Sequence, residues 1–374
     1  MNNLTTLQNV FPEMTTFEWL ERAYRNARKA KRYRDEILKF SSNLDSNLLR
    51  IQKEMLDGTF RFEAYRRHWI YVPKKRIVMA LPFYSRIVQW SIYQELMPFY
   101  DRFMIEDSYA CRKEKGSLAA VTRVQYWMRL IASKRNKWYA LKLDISKYFY
   151  RVDHAILMDI LRVRIKDERL LHLIDIIINT EGEKFGLPRF MGPTEAEDSD
   201  WLADVGMPIG NLTSQLFANI YLNELDQFCK HVLHVHFYAR YMDDIILFLP
   251  SKAVANYCKA EIAKFLLERL HLDLNSKTTI RPADRVEFVG YVITAHSLRL
   301  RKDTTRRIKA SFRGICRKYF TGELSKEEFD RRVASYKGMI QYCDSVGLRA
   351  RLNEIYLHAK KAAAINEEVQ ICSK

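Results

Sequence analysis

Near the N-terminus, apolar residues recur at helical spacing. In "TTFEWLERAYRNARKAKRYRDEILKF", Phe17, Leu20 and Tyr24 share a face, Thr16 is placed to cap it, and a dense basic stretch follows. Residues 15–57 are therefore expected to be helical. Residues 60–80 alternate in a strand-like way around Pro73, which predicts a basic hairpin. Helical spacing returns over 85–131, with breaks expected near Pro98 and at "YACRKEKGS". A β-rich run, "KWYALKLDISKYFYRVDH" (137–154), carries an aspartate at the end of its apolar stretch and leads into helix over 155–180. Gly, Pro and acidic residues in 181–205 mark an inserted loop or small flap. Residues 206–228 read as a loop and then a helix with Leu212, Leu216 and Ile220 on one face. A strand pair at 235–249, a helix at 252–271 and short strands near 279–281 and 286–293 follow, and the chain is basic and helical from about 303.

Intermixed elements of this kind predict an α+β core of antiparallel strands with helices packed on one side. A chain of 374 residues, 48% hydrophobic, is long enough for two or three subdomains. Lys plus Arg outnumber Asp plus Glu by 62 to 45, and the net charge of +17 is spread along the chain. A folded body with that field attracts polyanions, nucleic acid first. Six scattered cysteines without a CxxC pair fit an intracellular protein with free thiols. No run of about 18 apolar residues is present, so no membrane span is expected, and residence in the cytoplasm is.

"RYMDDIILFL" (240–249) sets Asp243 and Asp244 side by side in an apolar run. Two buried carboxylates repel each other and lose hydration, so something must neutralise them. A hairpin turn lifts them out of the core, and magnesium, which favours carboxylate, phosphate and water oxygens, neutralises them well. Asp144 ends another apolar run and supplies a third carboxylate; the three are expected to converge on two metal ions for nucleotidyl transfer.

These segments resemble the motifs of reverse transcriptases. "LDISKYFYRVDH" is similar to motif A, "GMPIGNLTSQLFANIYLNELD" to motif B, "YMDD" to motif C and "LHLDLNSKTTI" to motif D, while "VEFVGYVIT" resembles the strand pair that grips the primer. Residues 72–117 resemble the fingers of bacterial and group II intron-like enzymes. The resemblance runs in order from about residue 60 to 295. It implies a right-hand polymerase: an N-terminal helical extension (1–58), fingers (59–136 with part of 155–205), a palm of antiparallel sheet backed by helices (137–295, with the insertion at about 181–205), and a helical thumb and tail (296–374).

It also implies residue roles. Asp144, Asp243 and, more weakly, Asp244 would hold two Mg2+ ions, for which Mn2+ is a substitute, and the Ile145 backbone carbonyl would complete a shell. Phe149 would lie beneath the sugar and exclude a ribose 2′-hydroxyl. Lys74 and Arg76 match the residues that meet the triphosphate, with Lys75 an alternative to Lys74, and Lys277 matches the motif D lysine that protonates pyrophosphate. Ile209, Gly210 and Gln215 would line the nascent pair; most reverse transcriptases carry Gln-Gly and Ser-Pro where this chain has Ile209-Gly210 and Ser214-Gln215.

"IGNLTSQ" and "SYKGMIQYCDS" (335–345) are similar to the reverse transcriptases of diversity-generating retroelements in bacteria and phage. That resemblance implies error-prone copying of a template-repeat RNA at adenines, deoxynucleoside triphosphates as substrates, cDNA and primer as partners, and a small basic pentameric accessory variability protein. The alternatives are a retron or group II intron-like reverse transcriptase, and a catalytically silent RNA-binding protein on the same scaffold.

Overall fold

The computed structural model describes residues 5–71, 75–189 and 191–372. The N-terminal region is helical but divided, into Phe17–Ala27, Asp35–Ser41 and Leu44–Leu56. Thr16 Oγ1 accepts from the Trp19 N–H at 3.3 Å and starts the first of these, as its position in sequence suggested. Leu20, Ala23, Tyr24 and Ala27 then form a buried stripe against the helix Phe83–Asp101. The stripe stops at Ala27, beyond which none of residues 28–34 finds a buried place to hold a further helical turn. Pro98 does not break its helix. It removes the N–H that would donate to the Gln94 carbonyl, but it sits in the last turn, so one bond is lost and the helix still runs on to Asp101.

Nine strands among the described residues form three antiparallel sheets. β1 (Arg66–Ile70) pairs with β2 (Arg76–Ala80). β3 (Tyr139–Asp144), β4 (Phe237–Tyr241), β5 (Asp244–Leu249) and β6 (Thr279–Pro282) make the central sheet in the order β4-β5-β3-β6. β7 (Val286–Phe288), β8 (Tyr291–Ile293) and β9 (Leu298–Leu300) form the third. β9 has no counterpart in the sequence expectation, because three residues are too short to show a period.

Alternation gives the central sheet two different faces. Leu141, Leu143, Tyr238, Ile245 and Leu247 point into the main core, where the helices Phe83–Asp101, His154–Arg164, Leu212–Gln227 and Lys252–Leu270 cover them. Ala140, Ala239, Ile246 and Phe248 point the other way, onto Trp127 and Met128 of the helix Ser117–Ala132 and the residues of β7–β9. On this second face the polar end of the sheet carries Lys142, Asp144 and Asp244.

Residues 181–205 fold rather than trail. Gly186 pairs with Leu202, and Phe185, Leu187 and Trp201 pack with Tyr65, Ile77, Met79 and Tyr150, so the insertion bridges the β1–β2 hairpin and the turn after β3. Arg189 adds a bidentate pair to Asp273 at 2.9 and 2.6 Å. The C-terminal part is three helices, Lys302–Phe320, Lys326–Ile340 and Val346–Cys372, around Ile308, Phe312, Ile315, Phe329, Leu352 and Ile355. Among the described residues no helix is long and apolar enough to cross a membrane.

Candidate active site

The two adjacent aspartates have different places. Tyr241 pairs with Asp244, so Met242 and Asp243 alone form the tip of the β4–β5 hairpin. Met242 takes a left-handed φ of +55°, which lets so tight a tip form without glycine. Asp144 is directly opposite Asp244 across the β3–β5 ladder. All three carboxylates line one cavity of about 840 Å³, together with Glu287 and the cations Arg76, Lys142, Lys277, Arg281, Arg285 and Arg301. Burial pushes the Asp243 carboxyl above the ordinary carboxylate range; Asp244 and Asp144 push the same way, while its own backbone N–H and Arg76 oppose them.

The end of β3 is pinned from the following loop. The Asp144 N–H donates to Thr278 Oγ1 at 3.2 Å, and the Asp144 carbonyl accepts from the Asn275 N–H at 2.7 Å. The Ser146 N–H donates to the Asp273 carbonyl at 2.8 Å, and Ile145, its side chain buried, bridges Leu274 between them. Asp144 is thus aimed by the same segment that carries Lys277.

The three aspartates are not equal partners. Asp244 Oδ2 accepts from the Val289 N–H at 3.1 Å, and Lys142 Nζ stands 3.2 Å from Asp244 Oδ1. Among the described residues no three His, Cys, Asp or Glu side chains are arranged as a protein-only metal cage. Asp144 and Asp243 are hard oxygen donors in this cavity, and Ile145 is not among the residues that line it. Such a set suits magnesium, which commonly takes one or two carboxylates and fills its shell with phosphate and water oxygens.

Arg76 and Lys277 join the aspartates around the cavity. Phe149, Ile209, Gly210 and Gln215 do not line it. Phe149 lies half-buried in the turn Tyr148–Tyr150, where its carbonyl accepts from the Met207 N–H at 2.7 Å. The Ile209 carbonyl accepts from the Met79 N–H at 2.8 Å, tying the loop before Leu212–Gln227 to β2. Gly210, at φ +114°, approaches β2 so closely that a Cβ there would lie 2.8 Å from Val78 Cγ1. Gln215 Oε1 accepts from Cys111 Sγ at 3.3 Å. Lys74 lies outside the described residues.

Two features escaped the sequence reading, although each had left a signal. Lys142 follows from Asp144 by strand alternation. Arg240 is a charged residue inside an otherwise apolar strand and is wholly buried. Its guanidinium donates to both oxygens of Asp226 (2.6–2.9 Å) and to Asn219 Oδ1 (2.9 Å), and the Tyr238 hydroxyl donates to the same carboxylate at 2.6 Å. Burial pushes the guanidinium pKa down and Asp226 more than offsets it, so Arg240 stays charged beneath the hairpin that carries Asp243.

Residues 72–293, more than half of the chain, match the family model described as reverse transcriptase (RNA-dependent DNA polymerase). Protein YkfC of Escherichia coli (strain K12) is 25% identical over 342 residues, covering 78% of this chain and 83% of that protein. The group II intron-encoded protein LtrA of Lactococcus lactis subsp. cremoris is 25% identical over 190 residues, covering 49% of this chain and 28% of LtrA. Among solved structures, an apo telomerase from Candida tropicalis truncated from its C-terminal domain aligns with a TM-score of 0.45 and 14% identity, covering 64% of this chain and 55% of that one.

Proposed function

This chain belongs to the reverse transcriptase family of RNA-dependent DNA polymerases, and on that premise we propose that the cavity beside β3 and β5 extends a primer by two-metal nucleotidyl transfer. The observation that carries the proposal is one cavity lined by Asp144, Asp243, Arg76 and Lys277. Asp144 and Asp243, with the Ile145 carbonyl and a lesser part for Asp244, would hold two magnesium ions, or manganese in their place. Those ions, when bound, supply charge for the attacking 3′-hydroxyl and the departing pyrophosphate.

The chain's own residues do the rest. Arg76, exposed at the start of β2, meets the triphosphate with a planar guanidinium, and Lys74 is proposed beside it. Lys277 gives a proton to the pyrophosphate; the hydrogen bonds between its loop and Asp144 hold acid and carboxylate in register. Phe149, held by Met207 at its carbonyl, presents its ring to the sugar and selects deoxynucleotides. Ile209, Gly210 and Gln215 form the wall beside the nascent pair, set against β2 through Met79.

Within the family we assign the chain to the diversity-generating retroelements, copying a template-repeat RNA. Ile209 packs in the apolar cluster with Tyr65, Ile77 and Met79, so it presents shape and no side-chain hydrogen bond to the nascent pair. A loss of about 1.4 kcal/mol in discrimination raises errors about tenfold. The exposed Glu195, Glu197, Asp198 and Asp204 of the insertion offer charge complementary to a small basic accessory protein. Subdomain limits are proposed at 58/59, 136/137 and 295/296, with residence in a bacterial cytoplasm. A group II intron-like role is the second reading, favoured by the likeness to LtrA.

Primer extension on a defined RNA template with magnesium, followed by sequencing of the product, tests these points together. Extension by the parent and none by Asp243→Asn is expected; equal extension by both would overturn the assigned chemistry. Ile209→Gln is expected to lower misincorporation opposite adenine selectively. An unchanged spectrum, or a parent already accurate at adenine, would favour the intron-like reading.

A further inference from the structure

Lys142 sits two residues before Asp144 in β3, and strand alternation turns it to the same face. Its Nζ donates to the Glu287 carbonyl of β7 at 2.9 Å and stands 3.2 Å from Asp244 Oδ1. The other oxygen of Asp244 accepts from the Val289 N–H at 3.1 Å. Val289 and Gly290 form the tip between Phe288 and Tyr291, with φ of +47° and +83°. Two left-handed residues in succession suit a tight hairpin, but a β-branched side chain is rare in that region and strains the turn. Val289 keeps this conformation where Asp244 holds its N–H and Lys142 holds both the carboxylate and the strand below. The contacts link the central sheet to the third sheet across the rim of the cavity.

We propose that Lys142 and Asp244 form a strut that fixes the β7–β8 turn over the cleft, and that this strut positions the 3′ end of the strand being extended. Lys142 is a positioning residue in this scheme, and Asp244 serves the turn more than it serves the metal. The inference rests on the polymerase reading given above. It differs from a metal-ligand role in a checkable way: the strut acts on nucleic acid whether or not a divalent ion is present.

The test uses the full chain and two readouts. Affinity for a labelled RNA–DNA primer–template is measured by fluorescence anisotropy in EDTA, and extension is measured with magnesium as kcat and KM for the nucleotide. Folding of every variant is checked by circular dichroism. Lys142→Met is expected to weaken duplex binding in EDTA about tenfold, the order of a lost charge-assisted hydrogen bond, and to lower kcat with little change in nucleotide KM. Lys142→Arg should retain most of both. Adding Val289→Gly to Lys142→Met should restore binding, because glycine takes the left-handed turn without support. Asp244→Asn keeps an acceptor for Val289 but loses the Lys142 pair, so it should show the same split and serves where Lys142→Met fails to fold. Parent-like duplex affinity in Lys142→Met or Asp244→Asn, or no recovery with Val289→Gly, would overturn the strut. Failure of the parent to extend any primer, with duplex binding still responding to these variants, would sink the polymerase reading and leave the strut standing.

Discussion

The buried pair beneath the hairpin offers the sharpest stability test. Arg240 and Asp226 have side chains with 0% exposure, and Arg240 makes its charge-assisted bonds to Asp226 and Asn219 alone among the groups described above. Asp226→Asn removes the negative charge and turns an amide N–H2 toward the guanidinium. The cation is then buried without a counter-charge, beside the one oxygen the new amide keeps and the two oxygens of Asn219, at 2.9 and 3.3 Å. Breaking one side of such a pair costs about 3–5 kcal/mol, a factor of hundreds to thousands in the folding equilibrium. With a urea dependence of about 2–3 kcal/mol per molar, the midpoint should fall by about 1–2 M. Removing both charges should cost far less, since well-packed apolar groups of similar volume are often neutral replacements. The triple variant Asp226→Leu, Arg240→Met, Tyr238→Phe also spares the tyrosine hydroxyl from losing its acceptor. It should regain most of the lost stability by urea unfolding followed by circular dichroism. A single-variant cost below about 1 kcal/mol, or a triple variant no better than the single, would refute the reasoning.

Gly210→Ala places a Cβ at φ +114° and 2.8 Å from Val78 Cγ1. It should cost more than about 1 kcal/mol, displace β2, and raise the nucleotide KM through Arg76. Asp167 caps Glu168–Ile178 by accepting from the Leu170 N–H (3.1 Å) and also accepts from the buried Phe11 N–H (2.9 Å). Asp167→Ala should therefore lower urea-measured stability by about 2–3 kcal/mol, a lost cap plus an orphaned donor. Burial, and then Glu13, push the half-buried Glu95 carboxyl above its usual range, with Arg22 opposing. A folded-state value above the unfolded one contributes stability below the unfolded pKa, which is lost as pH rises through the folded pKa. Glu95→Gln should thus melt higher than the parent at pH 7, with the gap closing near about pH 4; a gap that persists in acid would refute the assignment.

What the sequence determined by itself was local and periodic. The apolar runs around Asp144 and Asp243, the Thr16 cap and the order of the elements are properties of short windows, and they sufficed for the α+β class and the candidate carboxylates. The same windows could not end the first helix at Ala27, because helix termination there depends on which residues find a neighbour to pack on. Nor could they tell Asp243 from Asp244. Their covalent surroundings are nearly alike, and the difference arises from Val289 and Lys142, 45 and 102 residues away in the chain for Asp244. The insertion read as a polar loop because its few apolar residues, Phe185, Leu187 and Trp201, are too sparse to show a period. They acquire a core only when β1, β2 and the turn after β3 are brought beside them. Tertiary structure decided these matters because burial and hydrogen-bond satisfaction are set by groups far apart in sequence.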